Sequence, residues 1–548
     1  MKTTPPSHLR RQRWALALLG SAVFASPAFA LSDDAKLVLQ LLVTKGVITQ
    51  KDYDDTINAI DSKPADGVPP VQFVQDALGV TAKDVQKATE YAKKDEKNGT
   101  VKPSGNGTVS ADGNSSFNFT GLVHFDARSI ADGLAQSADK DAASGADNFE
   151  VRRARIGING TLYKDISYEV LTNVVGSNAN LVQRAYVNYG FNPAAQVRVG
   201  RFKQPFSLEQ LTSSNAIDFM ERSYGDQLVP AHRNGAGVFG EPTKGFTYAF
   251  SFYQDGFNEI SNTNNIGNSN VGRLSFNAAD FAKINNTVIH FGAAKDQGRY
   301  QVLPTTSTDS GAAANTSTRA TILSFRSENR GLANAYRAQI GGDTVTAAYG
   351  AAANNAANVN KDLKGLEFAL ATGGLKFQAE TIKAAYSASA ANYNTVPTNL
   401  GTAKLDVSAD TSYYEFIYNL TGESWSEAYK AGAFGAIKPK ANFGLGTGGG
   451  SGAWQLAARV STYETSLAGT TANAAITDGG SNKSRAENSE KASTITYGLN
   501  WIVNPNSRVL LNYARTTFDR PVTYLSTSNS LGTTTKEDVV SVRSQINF

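Results

Sequence analysis

Three features of the sequence predict an all-β fold, a transmembrane antiparallel β-barrel of about sixteen strands, or sixteen to eighteen by count. Segments of about ten residues with alternating polar and apolar side chains recur from Phe117 onward. Short turns follow some of these segments, and long loops rich in Gly, Ser, Asn and Ala follow the others. The last segment ends on an aromatic residue, Phe548. A barrel must pair its last strand with its first, whereas a sandwich leaves that edge unpaired.

Residues 1–30 are predicted to be a secretory signal peptide. Basic residues precede the apolar run from Trp14 to Ala25, and Ala28-Phe29-Ala30 has the form of a cleavage site. The run is too short for an anchor helix that spans a bilayer. An exported chain without cysteine has no disulfide framework, so we expect a closed, hydrogen-bonded structure to supply its stability.

The mature chain is expected to carry no net charge. The signal peptide holds four of the 52 Lys and Arg residues and no acid, which leaves 48 residues of each sign. Overall charge therefore predicts no nucleic-acid partner, and any attraction for anions must be local.

Residues 31–100 are predicted to form a helical periplasmic segment, because Thr49 and Thr81 are suitable helix N-caps and the apolar residues follow helical spacing. A module that helps the protein to oligomerise and a solvated helix without a partner are equally supported. Residues 101–116, rich in Gly, Asn and Ser, are predicted to be a flexible linker, and residues 117–548 the barrel. The strand pattern is least clear over Asn334 to Gly350.

Arginine is concentrated on three strand patterns between Phe149 and Arg222. In the first, Arg153 and Arg155 share one face of the strand, while Ala154 and Ile156 share the other. Arg184 and Arg198 occupy similar polar faces in the next two patterns. Arg152 falls on the apolar face, so it either lies at the membrane interface or is brought inward by a β-bulge.

These strands alone do not decide whether their apolar faces meet lipid or a protein core. The signal peptide and the C-terminal aromatic residue favour lipid outside and arginine in the lumen. The arginines are then expected to line a pore, or to pair with the carboxylates that the pattern also places in the lumen. Those carboxylates are Glu169, Glu209, Asp218 and Glu221.

The loop 202–233 is bracketed by Pro205 and Pro230, and its segment from Ser214 to Arg222 is predicted to be a short capped helix. From the residues alone, an inward loop that constricts the lumen and an excursion on the surface are equally supported.

Several motifs, in this order and spacing, resemble the phosphate-selective porin O and P family of Gram-negative outer membranes. The likeness covers about residues 115 to 548. The motifs are Phe149-Glu-Val-Arg-Arg-Ala-Arg155, Gly190-Phe-Asn-Pro193, Gly200-Arg-Phe202, Phe206-Ser-Leu-Glu209, Phe219-Met-Glu-Arg222, Leu420-Thr-Gly-Glu423, Gly452-Ala-Trp-Gln-Leu-Ala-Ala-Arg459 and Asn504-Pro-Asn-Ser-Arg508.

The resemblance implies a homotrimer of sixteen-stranded barrels in outer-membrane lipid, each narrowed by an inward third loop lined with basic residues. The expected channel-lining or anion-binding residues are Arg152, Arg153, Arg155, Arg184, Arg198, Lys203 and Arg222. The expected constriction-loop positions are Phe206, Glu209, Gln210, Ser213, Ser214 and Asn215.

The sequence departs from the family pattern at four of these positions. Gln210 and Asn215 stand where phosphate-selective members carry lysine, and Arg155 and Lys203 where they tend to carry tyrosine. The resemblance therefore implies an anion-preferring diffusion channel, for phosphate or polyphosphate or as a general porin for small anions.

Enzymatic and purely structural alternatives have weaker support. The mature histidines, His124, His232 and His290, have no metal-ligand spacing, and no Gly-x-Ser-x-Gly elbow accompanies them. We therefore expect neither a cofactor nor an enzyme, and a lumenal Ser–His hydrolase is the weakest alternative. A structural or adhesive surface barrel is the third hypothesis, and it predicts a sealed lumen.

Overall fold

The computed structural model describes residues 102–110, 112–131, 147–175, 181–255, 267–302, 305–308, 316–331, 335–342, 357–394, 400–445, 449–469, 489–525 and 531–548, together with Gln50 and Asp54. The chain divides into two compact units, Met1–Lys102 and Pro103–Phe548. In the first unit, the amide of Gln50 donates a hydrogen bond to Asp54 at 3.0 Å. The predicted signal peptide and nearly all of the helical segment 31–100 lie outside the described residues.

The second unit consists mainly of β-strands. In chain order the strands are β1 Lys102–Ser104, β2 Gly107–Val109, β3 Ser116–Ala131, β4 Asp147–Leu162, β5 Ile166–Asn173, β6 Val182–Asn192, β7 Ala195–Lys203, β8 His232–Thr243, β9 Phe246–Gln254, β10 Gly267–Asn277, β11 Thr287–Val302, β12 Thr305–Thr308, β13 Thr316–Phe325, β14 Tyr336–Gly342, β15 Ala357–Thr372, β16 Leu375–Asn394, β17 Leu400–Asn419, β18 Tyr429–Lys430, β19 Ala433–Phe434, β20 Ala453–Gly469, β21 Lys491–Asn504, β22 Ser507–Leu525 and β23 Leu531–Asn547. Single helical turns are α1 Leu208–Leu211, α2 Ala278–Phe281 and α3 Trp425–Ala428, with a 3₁₀ turn at Tyr224–Gln227. None of the helices among these residues is long and apolar enough to cross a membrane.

Sixteen antiparallel strands close into a barrel, as the sequence predicts. They are β3 to β11, β15 to β17 and β20 to β23, each paired with the next along the chain. The last strand, β23, pairs with β3 from Asp538 opposite Ala131 to Asn547 opposite Leu122. Phe548 extends this pairing through both of its backbone hydrogen bonds to Gly121, at 2.9 and 3.0 Å. In the described part of the chain, each of the sixteen barrel strands is therefore paired on both sides.

Side chains alternate between an apolar outer face and a mixed inner face. On β4 and β6, Ile156 is 58% and Val187 54% exposed, which places the predicted apolar faces on the outside. Close to the short turns, Trp454 and Trp501 stack on the outer face with ring centroids 5.4 Å apart. An apolar outer band with aromatic residues near its edge is typical of a barrel in a membrane.

Three connections fold into the lumen. The third long loop joins β7 to β8, and a longer insertion between β11 and β15 carries the three-stranded sheet β12–β14. At the short-turn end, the connection from β17 to β20 buries Trp425 against the same apolar cluster as Leu208 of the third loop. These segments pack against the inner wall, so this part of the lumen has the burial of a protein core.

The structure resolves two uncertainties about the strand pattern. Tyr336–Gly342, in the region where the pattern is least clear, belongs to the small inserted sheet and not to the barrel wall. Within the predicted linker 101–116, Gly107–Val109 pairs with the start of β3. Part of the stretch expected to be flexible is therefore hydrogen-bonded into the sheet.

Gly200 lets β7 approach β6 closely. Its φ is 125°, and a Cβ atom there would lie 2.3 Å from the carbonyl oxygen of Ala185. We expect Gly200→Ala to destabilise the barrel by about 1–3 kcal/mol, because the backbone must leave this conformation or the strands must separate. The midpoint of guanidinium unfolding, measured on protein refolded in detergent micelles, is expected to fall. Gly272→Ala is the matched control, because a Cβ atom there meets nothing closer than 3.9 Å. Equal midpoints for the two variants would contradict the prediction.

Candidate functional site

The third long loop, residues 204–231, runs through the barrel and is held to the far wall by side chains of β20 to β23. Six of its backbone carbonyls accept hydrogen bonds from the wall. The pairs are Arg508 Nη2 to Ser214 (3.3 Å), Gln545 Nε2 to Asn215 (3.2 Å), Arg508 Nη1 to Ile217 (2.9 Å), Asn500 Nδ2 to Asp218 (2.8 Å), Arg543 Nη1 to Met220 (2.6 Å) and Arg459 Nη2 to Glu221 (2.9 Å). The loop is thus bound through its main chain, as an inward loop and not a surface excursion.

These bonds explain why the helix predicted from Ser214 to Arg222 is wrong. The segment consists of turns and bends. Its carbonyls point to donors on the wall, so they are not used in a helical ladder. The loop's α-helical turn is instead α1, where the side-chain oxygen of Ser207 accepts a hydrogen bond from the backbone N–H of Gln210 at 3.1 Å.

The two ends of α1 are bound by acidic and basic side chains of the lumen. At its start, the backbone N–H groups of Leu208 and Glu209 donate to the Glu380 carboxylate at 3.1 and 2.6 Å. At its end, the Lys203 ammonium donates to the carbonyls of Gln210 and Thr212, the latter at 3.1 Å. Arg222 donates to the carbonyls of Glu209 and Thr212 at 3.1 and 2.9 Å. Lys203 and Arg222 therefore bind the loop itself.

The remaining constriction-loop positions differ in exposure. Phe206 is fully buried against Gly365, where a Cβ atom would lie 3.0 Å from its ring. Glu209 is buried and pairs with Arg459 at 2.9 Å. Gln210 and Ser214 are also buried, Ser213 is exposed, and Asn215 is half-buried with its amide oxygen 3.2 Å from Nε2 of His124.

Arg152 reaches the lumen by a β-bulge. His124 of β3 pairs with Arg153 and the next residue, Phe125, pairs with Val151, so Arg152 is the extra residue of β4. Its guanidinium donates to both oxygens of Glu221, at 3.0 and 3.3 Å. Of the two alternatives for Arg152, the structure therefore has the inward one.

Arg153 and Arg155 follow on the inner face of β4 and are half-buried. Arg155 donates to Asn173 at 2.8 Å and to Gln183 at 3.3 Å, and Arg153 approaches His124 at 3.4 Å. All these partners are neutral amide or imidazole groups. The charges of Arg184, Arg152 and Arg222 lie near enough to Arg155 to repel its own. Positive charge is thus concentrated on this wall.

Arg184 and Arg198 lie on the adjoining strands. Arg184 pairs with Glu169 at 2.9 Å, so one of the predicted arginines takes the alternative, charge-paired role. Arg198 is held by aromatic rings, with its guanidinium carbon 4.3 Å from the ring centroid of Tyr186 and 4.5 Å from that of Phe239.

Most lumenal cations elsewhere are paired with carboxylates. The pairs are Arg128 with Asp126, Glu150 and Glu221, Arg273 with Glu367, Lys361 with Asp255 and Asp296, Lys376 with Asp218 and Glu415, Arg459 with Glu209 and Glu328, and Arg543 with Asp126 and Glu221. By contrast, no carboxylate among the described residues lies within 4.0 Å of the basic groups of Arg153, Arg155 or Arg198. We call these three residues with Arg184 the arginine lane.

Two carboxylates of the loop respond differently to burial. Burial alone would raise the pKa of Glu221, but Arg152, Arg543 and Arg128 hold it well below its usual range. Burial raises the pKa of Glu209, and its partner Arg459 only partly opposes this. Glu221 is therefore a fixed negative charge beside the arginine lane.

The wall arginines that fix the loop were not among the predicted site residues. The alternating pattern places Arg459 and Arg543 on the inner face, yet their acceptors lie more than 200 residues away along the chain. Arg330, from the insertion between β11 and β15, also enters the lumen and lies 3.4 Å from Glu150. For Arg459 and Arg543, the one signal in the sequence for a role in the lumen is an arginine on the polar face of a strand.

Comparisons with known proteins agree with this architecture. The family model Phosphate-selective porin O and P matches residues 117–548. Porin O of Pseudomonas aeruginosa is 27% identical over 387 residues, which cover 68% of this chain and 78% of that protein.

Two solved structures are also similar. The alignment with OmpT of Vibrio cholerae has a TM-score of 0.42 at 10% sequence identity, and it covers 79% of this chain and 98% of the OmpT chain. The alignment with the outer membrane channel DcaP of Acinetobacter baumannii has a TM-score of 0.42 at 10% sequence identity, and it covers 79% of this chain and 97% of the DcaP chain. Scores this low carry no argument about function.

The family model covers most of the chain and nearly all of the closed barrel, and this places the protein in the bacterial outer membrane as a porin. The chain belongs to the phosphate-selective porin O and P family.

Proposed function

We propose that this porin conducts small anions in preference to cations, along the arginine lane and past the loop 204–231. The observation that supports the proposal most strongly is the difference in charge pairing. Arg153, Arg155 and Arg198 have no carboxylate partner among the described residues, whereas most lumenal cations elsewhere do. Unpaired guanidinium groups in a narrow, low-dielectric lumen attract anions and repel cations.

The position of the arginine lane in the lumen also supports the passage of anions beside the loop 204–231. Arg153, Arg155 and Arg198 are half-buried, whereas inner-face residues opposite, such as Leu363 and Ile417, are fully buried under the inserted segments. Several moderate sites at successive positions suit conduction, because an anion must bind well enough to enter and weakly enough to leave.

Phosphate is the narrower proposal. Guanidinium groups match the oxygens of phosphate as well as those of other oxyanions, so the lane by itself fits the class of small oxyanions. The family's description supports phosphate, whereas Gln210 and Asn215 supply no ammonium in the loop. A general small-anion porin is therefore the alternative.

The family also supports a homotrimer in outer-membrane lipid, which we propose for this porin. From the sequence we propose a signal peptide over residues 1–30, a periplasmic helical segment over residues 31–100 and a linker over residues 101–116, in which Gly107–Val109 is paired with β3. Chemical cross-linking of the purified porin tests the trimer, since a monomer band alone would contradict it.

Arg155→Gln tests the arginine lane. In a planar bilayer with a tenfold KCl gradient, we expect the wild-type reversal potential to show anion preference. The variant is expected to lower the anion-to-cation permeability ratio about fivefold, because a charge worth roughly 1 kcal/mol in the lumen is lost. Arg515→Gln is the matched control, since Arg515 is 55% exposed on the outer face and pairs with Asp538. Cation selectivity of the wild type would overturn the proposal, and an unchanged ratio in Arg155→Gln would remove Arg155 from the lane.

Asn215→Lys tests phosphate recognition. An ammonium beside His124 adds positive charge close to Arg153, so phosphate titrated into KCl is expected to block chloride current at a concentration about threefold to tenfold lower than in the wild type. Asn270→Lys adds the same charge to an exposed position of β10 and controls for net charge. If phosphate blocks neither the wild type nor Asn215→Lys, the channel is a general anion porin.

A further inference from the structure

Glu221 places a carboxylate of the loop among three arginines. One oxygen accepts from Arg152 at 3.0 Å, from Arg128 at 3.0 Å and from Arg543 at 3.4 Å, and the other accepts from Arg152 at 3.3 Å. Three guanidinium groups around one oxyanion is the arrangement by which proteins bind free phosphate or carboxylate ligands. Here, a side chain of the protein itself fills that arrangement.

The filled pocket adjoins the arginine lane. Arg152 is next to Arg153 in β4, and its side chain is 22% exposed, whereas Arg543 is fully buried. Glu221 is the carboxylate within 4.0 Å of Arg152 in the described part of the chain. If the charge of Glu221 were removed, Arg152 would become a further unpaired cation beside Arg153 and Arg155.

We infer that Glu221 is a tethered competitor for the permeating anion. By occupying the pocket of Arg128, Arg152 and Arg543, its carboxylate prevents a passing oxyanion from being held by three guanidinium groups at once. Anions then bind only to the moderate sites of the lane, from which they are released quickly. This inference rests on the proposed function, because it assumes that anions pass along the arginine lane.

The loop does not need the Glu221 carboxylate to keep its path. The Glu221 carbonyl accepts from Arg459 at 2.9 Å, and the preceding carbonyl, of Met220, accepts from Arg543 at 2.6 Å. Both bonds involve main-chain atoms, so a change of side chain at position 221 leaves them intact. Glutamine keeps the shape of the side chain and removes its charge.

The test is block of chloride current by inorganic phosphate in a planar bilayer. For Glu221→Gln we expect the half-blocking phosphate concentration to fall about tenfold, because Arg152 is left without a carboxylate partner and can form charge-assisted hydrogen bonds to phosphate. Arg128 and Arg543 keep their ion pairs with Asp126 but still direct positive charge at the same position. Glu221→Asp keeps the charge but shortens the reach to Arg152, and we expect a decrease of about threefold. The double variant Glu221→Gln/Arg152→Gln should return toward the wild-type value.

Glu169→Gln is the matched control for the loss of one lumenal carboxylate, since Glu169 contacts a single guanidinium, that of Arg184. It should lower the half-blocking concentration by no more than about twofold. If Glu169→Gln and Glu221→Gln lowered the half-blocking phosphate concentration equally, the loss of one negative charge would explain the effect, and the inference would be overturned.

Two outcomes separate the inference from the proposed function. A wild-type porin that is not anion-selective contradicts the proposed function. An anion-selective wild type in which phosphate block is the same for Glu221→Asp and the wild type contradicts the inference alone. This second result can be obtained even if Glu221→Gln does not assemble, because the aspartate variant keeps the charge on which the network depends.

Discussion

The backbone pairing of β23 with β3 is the interaction on which the other features depend, because a strand-crossing protein has no water in the bilayer to satisfy an open edge. Closure separates an outer face that meets lipid from a lumen in which arginine and glutamate can be buried together. The hydrogen bonds between Phe548 and Gly121 complete this pairing at the final residue. Inside the closed wall, the inserted segments pack as a protein core, and the half-buried arginine lane lies on the side that they leave more open.

Arginine has two roles in this lumen, which are distinguished by what the guanidinium contacts. Arg459, Arg508 and Arg543 donate to main-chain carbonyls and so determine where the loop runs. Arg153 and Arg155 contact neutral side chains and keep their charge available. A buried guanidinium with five donors can satisfy carbonyls and a carboxylate together, which lysine with its single ammonium does less well. Both roles therefore use the same residue type, and composition alone does not separate them.

The sequence predicts the barrel well because a period of two residues is a local property that each strand shows by itself. The inner faces of β4, β6 and β7, and hence the lumenal positions of Arg153, Arg155 and Arg184, follow directly from it. The bulge at Arg152 could be stated only as one of two alternatives, since one extra residue changes the face without changing the composition. The helix expected from Ser214 to Arg222 was wrong because its carbonyls bind donors contributed by strands near the other end of the chain. Such long-range pairings leave no local signal, and the same holds for the carboxylates that neutralise Arg459 and Lys376.

The attachment of the loop through its main chain has a consequence for how relatives of this porin can diverge. Wall side chains recognise the peptide groups of residues 214 to 221, and peptide groups are the same whatever the side chains are. Side chains such as Asn215 can therefore be exchanged with little effect on the path of the loop. A substitution at such a position changes the side chain that the loop presents without changing the wall residues that hold the loop.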